Sequence, residues 1–210
     1  MARGKLITFE GGEGSGKSTQ VALLTESFAK AGIKAIKTRE PGGVDSAERI
    51  REILVKGDAE LDPVTEILLN FAARNEHLQK LILPELEAGN YVICDRFVDS
   101  TMAYQGFGHG VSTAYIEIFK NLIVGNFMPD ITILLDIDVE QGLSRASSRG
   151  DKENRFEKMG KDFHRRLRDG FMAIAKKEPE RFAVIDAAKP QEEVRKKVLA
   201  VINKKLGINL

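Results

Sequence analysis

Near the N-terminus, Gly11-Gly12-Glu13-Gly14-Ser15-Gly16-Lys17-Ser18 satisfies the pattern G-x-x-x-x-G-K-[ST] in full. An apolar run precedes it and a helical pattern follows, the strand–loop–helix context in which such a loop cradles phosphate. Its glycines let backbone N–H groups converge on phosphate oxygens without Cβ clashes, and the N-terminus of the following helix favours the same anion. Lys17 is expected to bridge the β- and γ-phosphates of ATP, and the Ser18 hydroxyl to ligate Mg²⁺. Glu13 or Asp95 would join that metal shell through water. The expected ATP contacts run from Gly11 through Thr19.

Further arginines follow the later apolar runs. Arg39-Glu40-Pro41-Gly42-Gly43 comes after the second, Asp95-Arg96-Phe97 after the third, and Arg145, Arg149, Lys152 and Arg155 cluster after the fourth. Setting a nucleoside monophosphate against ATP crowds negative charges, and each unit pair at ~4 Å costs about 4 kcal/mol at an effective dielectric of 20. Planar, permanently charged guanidiniums are the natural counterweight, and they also stabilise the charge of a phosphoryl group in flight. A phosphate-monoester acceptor, with a second pKa of about 6, is a ready nucleophile and needs no general base. A hydroxyl acceptor would need one, a part open to Asp95 or Glu13. The motifs N-K-x-D, D-x-x-G and L-S-G-G-Q are absent, which weakens switch and transport readings.

The elements that must position these residues are legible as alternating patterns. Apolar runs at Leu6–Phe9, Lys34–Thr38, Tyr91–Cys94, Ile131–Leu135 and Phe182–Ile185 predict five strands. Helical periodicity lies between them: Val21, Leu24, Phe28 and Ala31 share one face, as do Phe163, Leu167, Phe171 and Ile174, and then Val194, Val198 and Ile202. Asp62-Pro63 is a helix start, Pro84 a kink or interruption, Ser112 a cap with a Val111–Ile116 staple, and Asp138…Gln141 a capping box. Strand–helix alternation implies an α/β fold, with a mostly parallel sheet covered on both faces and ligands at the carboxyl ends of its strands. The 210 residues suit one domain over 1–210.

Composition sets the outer limits. A net charge of +1 gives no reason to expect a nucleic-acid or acidic-membrane partner. The single cysteine, Cys94, reads as a small buried hydrophobe in a reducing compartment. No signal-peptide or membrane-spanning stretch is evident, so a cytoplasmic location is expected. His77, His109 and His164 lack metal-ligand spacing and read as surface or helix residues. Arg165, Arg166 and Arg168 read as solvated.

Phe9-Glu10 with the loop through Thr19, Thr38-Arg39-Glu40-Pro41-Gly42-Gly43, Phe71-Ala72-Ala73-Arg74, and Asp95-Arg96-Phe97 through Ser100 to Ala103-Tyr104-Gln105-Gly106 together resemble the bacterial thymidylate kinase family. The resemblance spans nearly the whole chain in order. It implies a three-layer P-loop NTPase fold with a five-stranded parallel sheet, and ATP- and Mg²⁺-dependent conversion of dTMP to dTDP by a homodimer. By motif position, Glu13 would approach the 3′-hydroxyl, Arg39 and Arg96 the acceptor phosphate, and Asp95 would orient Arg96 or the metal shell. Phe71 would stack on thymine, Arg74 would bond its edge with Ser100 and Gln105 nearby, and Tyr104 would crowd the 2′ position.

The resemblance implies a single P-loop kinase domain whose lid is the segment at about 145–157. The loop positions Gly12, Glu13, Gly14 and Ser15 hold no basic residue, which resembles the subclass in which lid arginines supply catalytic charge. Arg149 and Arg155 are the candidates. The family often has an aspartate before the second of these, where this chain has Asn154. Asp186-Ala187-Ala188-Lys189-Pro190 resembles the loop beside adenine. Another kinase acting on dUMP, UMP, CMP or a deoxynucleoside, and a P-loop regulatory NTPase, remain the alternatives.

Overall fold

The structure, a computed structural model, describes residues 3–56, 60–148, 155–156 and 159–210. The five expected strands form one parallel sheet: β1 (Leu6–Glu10), β2 (Ala35–Arg39), β3 (Tyr91–Asp95), β4 (Ile131–Asp136) and β5 (Phe182–Asp186). Their order is β2-β3-β1-β4-β5, which puts the strand feeding the phosphate loop at the centre. Each strand extends one residue past its apolar run, because the ladder continues into a polar residue. Arg39 pairs with Asp95 and Asp136 with Asp186 in register. Those five polar ends lie along the carboxyl edge, where parallel sheets bind ligands.

Helices cover both faces. Ile7 and Phe9 point to one side, against Val21, Leu24 and Phe28 of α1 (Lys17–Lys30) and Val194, Val198 and Ile202 of α9 (Gln191–Leu206). Leu6 faces the other side with Val92 and Cys94, against Ile67 and Phe71 of α3 (Pro63–His77) and Ile116 of α6 (Thr113–Ile123). Phe163, Leu167 and Phe171 of α8 (Lys161–Lys177) complete that layer over Leu134 and Phe182. Burying each such Leu, Ile or Phe side chain contributes about 1.5–3 kcal/mol. Burial also pushes the Cys94 thiol well above its ordinary pKa, in keeping with an inert core residue.

Local signals explain the helix ends. Asp62 accepts the Val64 N–H (2.8 Å) with Pro63 in the first turn, and Asp138 accepts the N–H groups of Glu140 (2.9 Å) and Gln141 (3.3 Å) at the start of α7 (Val139–Ser147). Ser112 occupies the cap position of α6, but its side chain bonds none of the free N–H groups. The interruption expected at Pro84 is a wide π-type turn over Leu78–Ile82, after which the helix resumes as α4 (Leu83–Glu87). Proline lacks the N–H that would close an ordinary turn there. Among the described residues, no helix is long and apolar enough to cross a membrane.

Candidate active site

The phosphate loop leaves β1 and wraps over the N-terminus of α1. A Cβ on Gly14 (φ +68°) would sit 1.9 Å from the Gly142 carbonyl oxygen of α7. One on Gly11 (φ +140°) would sit 2.4 Å from that of Leu135. Residue 14 therefore has no room for any side chain. Lys17 curls back into the loop, its Nζ donating to Gly11 O (2.9 Å), Gly12 O (2.8 Å) and Ser15 Oγ (3.2 Å). Burial and the nearby Arg96 charge pull its pKa down to about 8, against the carboxylates of Glu13, Asp95 and Glu10. The Ser18 hydroxyl donates to Asp95 Oδ2 at 2.6 Å. These two hard oxygen donors fit Mg²⁺, which takes few protein ligands and keeps water and phosphate in its shell.

Asp95 ends β3, and the chain then makes an unusual turn. Arg96 has φ +70°, the only non-glycine residue with a positive φ among those described. Such a conformation costs of order 1–3 kcal/mol unless its surroundings enforce it. Its N–H donates to Phe9 O (2.9 Å), while its guanidinium reaches Gly11 O (3.2 Å), Ser100 Oγ (3.2 Å) and Glu13 Oε1 (3.1 Å). The group lies 4.9 Å over the Tyr104 ring, and the Tyr104 hydroxyl donates to the same Glu13 Oε1 (2.5 Å). Burial favours a neutral Glu13, but Arg96, Lys17 and Tyr104 outweigh it and hold its pKa at about 2. Both bonds fall on Oε1; Oε2 has no partner among the described residues.

Beyond this turn opens a cavity of about 620 Å³. Lys17, Ser18, Asp95 and Arg96 line one end, Arg39 and Arg51 a side, and Asn70, Arg74, Ser100, Tyr104 and Gln105 the rest. Arg39 is anchored by Glu48 at 3.1 Å. Arg74, only 2% exposed, donates through Nε to Glu40 Oε2 (2.7 Å) and through Nη2 to Thr101 Oγ1 (3.2 Å). Its buried Nη1 has no partner among the described residues. Glu40 Oε1 meets His77 Nδ1 (3.0 Å), and His77 Nε2 meets Thr38 Oγ1 (2.7 Å). Gln105 Nε2 donates to Glu66 Oε2 (2.8 Å), which fixes the amide so that its oxygen is the atom left available.

Several expected residues lie elsewhere. Phe71 does not line the cavity; it packs in the core, 5.9 Å from the Phe119 ring, with the Arg74 guanidinium 5.0 Å above it. Glu66, Asn70 and Arg74, spaced four apart on α3, form the stripe turned toward the site, and Phe71 sits with Ile67 about 100° further round the helix, packed in the core. Thr19 is exposed on α1 and does not line the cavity either. Arg149 lies outside the described residues. Arg155 is not beside the phosphate loop: it pairs with buried Glu66 and donates to Leu54 O (3.0 Å). Arg145 donates to Ala187 O (2.8 Å) and Ala188 O (3.2 Å), the loop expected beside adenine.

His77 and His164, expected on the surface or a helix, are helical but buried. Of the trio expected to be solvated, Arg165 and Arg166 are exposed and Arg168 is half-buried. Arg166 holds Gly108 O, and Arg168 forms a two-pronged pair with Asp136. The sequence reading missed Arg51, Asn70 and Glu66. The four-residue polar spacing of Glu66, Asn70 and Arg74 was the available signal for the last two.

A family model described as Thymidylate kinase matches residues 9–198. A thymidylate kinase of Magnetococcus marinus is 49% identical over 91% of this chain and 92% of its own length. One of Caulobacter vibrioides is 46% identical over 99% and 100%. The crystal structure of thymidylate kinase from Ehrlichia chaffeensis is similar with a TM-score of 0.79 and 37% identity, covering 95% of this chain and 99% of that one.

Proposed function

The chain belongs to the thymidylate kinase family, and on that premise we propose how its cavity transfers the γ-phosphoryl group of ATP to dTMP, giving dTDP. The carrying observation is one continuous cavity. It joins a phosphate loop and an arginine turn to a buried pocket of directional hydrogen-bonding groups.

ATP phosphates take the loop N–H groups, and Lys17 Nζ exchanges the carbonyls of Gly11 and Gly12 for phosphate oxygens. Ser18, with Asp95 through water, would hold Mg²⁺, which would neutralise charge on the ATP phosphates. Arg39 and Arg96 face the acceptor phosphate from two sides and hold it in line. Because that phosphate is already a nucleophile, no residue need remove a proton. Glu13 Oε2 accepts the 3′-hydroxyl, while Tyr104, fixed on Oε1, fills the space a 2′-hydroxyl would need. At the base end, the open Nη1 of Arg74 donates to a pyrimidine carbonyl and the Gln105 oxygen accepts a ring N–H. That polarity suits thymine and opposes cytosine, whose N3 is an acceptor.

Val64 and Leu68 on α3 and Tyr115, Ile118 and Leu122 on α6 are exposed apolar side chains on adjacent helices, Leu122 by 74%. This face supports the homodimer the family resemblance implies, and Leu122→Glu should give a monomer by light scattering. A cytoplasmic enzyme is the matching location.

The test is coupled ADP release across dTMP, dUMP, UMP and CMP. Turnover should depend on the monophosphate and favour dTMP over UMP and CMP. ADP release without a monophosphate would refute the kinase reading, and a preference for UMP would refute thymidylate alone.

A further inference from the structure

We propose that Glu10 is a positioning residue for phosphoryl transfer, its buried carboxyl setting the turn that aims Arg96; the catalytic part of this rests on the function proposed above. Glu10 is the last residue of β1 and 0% exposed. It lies on the sheet face of Leu6 and Thr8, beneath α5 (Val98–Thr101). Oε1 accepts the Phe97 N–H at 2.7 Å, and Oε2 accepts the Ser100 hydroxyl at 2.5 Å. Ser100 Oγ in turn receives Arg96 Nη1 at 3.2 Å.

One carboxyl thus fixes both the backbone that leaves Arg96 and, through Ser100, its guanidinium. The preceding residue completes the grip, since Phe9 O accepts the Arg96 N–H. Consecutive residues of β1 therefore hold consecutive peptide groups on either side of Arg96, the turn with φ +70°. Among the described residues, the Phe97 N–H has no other acceptor, so without Glu10 a buried donor would be left unpaired.

The groups around Glu10 fit this role. Asp99 faces it from α5, tied to Arg181 by two bonds of 2.7 Å, and Arg96, Lys17 and Cys94 lie on its other sides. Burial and Asp99 raise the Glu10 carboxyl to about 8, so near neutral pH it is mostly uncharged. An uncharged carboxyl still accepts the Phe97 N–H through its carbonyl oxygen and keeps the Ser100 contact by donating its own proton to Ser100 Oγ, and it leaves the Arg96 charge to Glu13 and to phosphate.

The test compares Glu10→Met, which fills the space but lacks the acceptor, with Glu10→Gln, which keeps one. Val198→Ala, in the α1–α9 layer, controls for lost stability. With dTMP and ATP, Glu10→Met should lower kcat about 100-fold, the effect of losing one aimed transition-state donor, and change the ATP KM less than about threefold. Glu10→Gln should recover most of that loss, and Val198→Ala should keep kcat. Equal kcat for Glu10→Met and Val198→Ala, or equal damage in the Met and Gln variants, would overturn the proposal. Should Glu10→Met not fold, Ser100→Ala cuts the guanidinium arm alone and should lower kcat in the same way; an unchanged kcat would overturn it. A crystal structure of Glu10→Met needs no substrate. Arg96 should leave its left-handed conformation, and an unmoved Arg96 refutes the idea even if dTMP is not the acceptor.

Discussion

Replacing Glu40 by alanine tests the contact that, on the proposed function, aims Arg74 at the base, and it also removes the Glu40 bond to His77. Glu40 and Arg74 are both nearly inaccessible, and their Nε–Oε2 contact is 2.7 Å. Glu40→Ala leaves the guanidinium with one protein bond, to Thr101, and a second buried N–H group without a partner. Breaking a buried pair from one side costs about 3–5 kcal/mol, because the remaining charge is neither solvated nor compensated. For a chain of this size each kcal/mol lowers Tm by roughly 2–4 °C, so a fall of about 10 °C is expected.

The double variant Glu40→Ala/Arg74→Met separates this from loss of packing. Removing the stranded charge should restore part of the stability, with a coupling of roughly 2 kcal/mol in a double-mutant cycle. Steady-state kinetics supplies the functional half. The dTMP KM of Glu40→Ala should rise about tenfold and that of ATP much less, since Arg74 bonds Glu40 and Thr101 and no residue of the phosphate loop. A double variant no more stable than Glu40→Ala would refute the stranded-charge argument. An unchanged dTMP KM would remove Arg74 from the acceptor site.

Lys17→Ala should abolish turnover, by about 10³-fold or more, without loss of the folded circular-dichroism spectrum; retained activity would overturn the phosphate-loop assignment. Arg155→Ala should raise the dTMP KM more than it lowers kcat, because Arg155 is held by Glu66, which also carries Gln105. A kcat effect alone would return Arg155 to the transition state. Glu13, held at about 2 against an ordinary 4.5, is more acidic folded than unfolded. It contributes about 3 kcal/mol above pH ~4.5 that is lost as pH falls toward ~2. Between pH 6 and 2.5 the wild type should therefore lose Tm relative to Glu13→Gln, and parallel curves would contradict the ionised Glu13.

The sheet was legible because a buried parallel strand must be apolar on both faces, and each apolar run becomes a strand. What composition hid was the last residue of each. Glu10, Arg39 and Asp95 look like the start of a loop, yet they belong to the ladder and end it at the carboxyl edge. The phosphate loop was legible because its parts are contiguous. The buried acids were not, because the partners that explain them are distant: Glu40 meets Arg74 34 residues on, Glu66 meets Arg155 89 on, and Glu10 meets Ser100 90 on. In a linear sequence each reads as an ordinary solvated carboxylate.

Phe71 shows the same limit at the scale of one helix. Ile67, Phe71 and Leu78 define an apolar stripe, and that stripe faces the sheet, as the hydrophobic effect requires. One residue earlier is a rotation of about 100°, enough to turn Asn70 instead of Phe71 toward the cavity. The ring still serves the site from beneath, since Arg74 lies over it and cannot sink further. Arg74 is therefore held from two directions, by Phe71 under its plane and by Glu40 at its Nε, with Nη1 left as its open donor. A polar atom so constrained discriminates by direction, which a flat stacking ring does not. On the proposed function, base recognition accordingly rests on the buried carboxylates of Glu40 and Glu66, which fix Arg74 and Gln105.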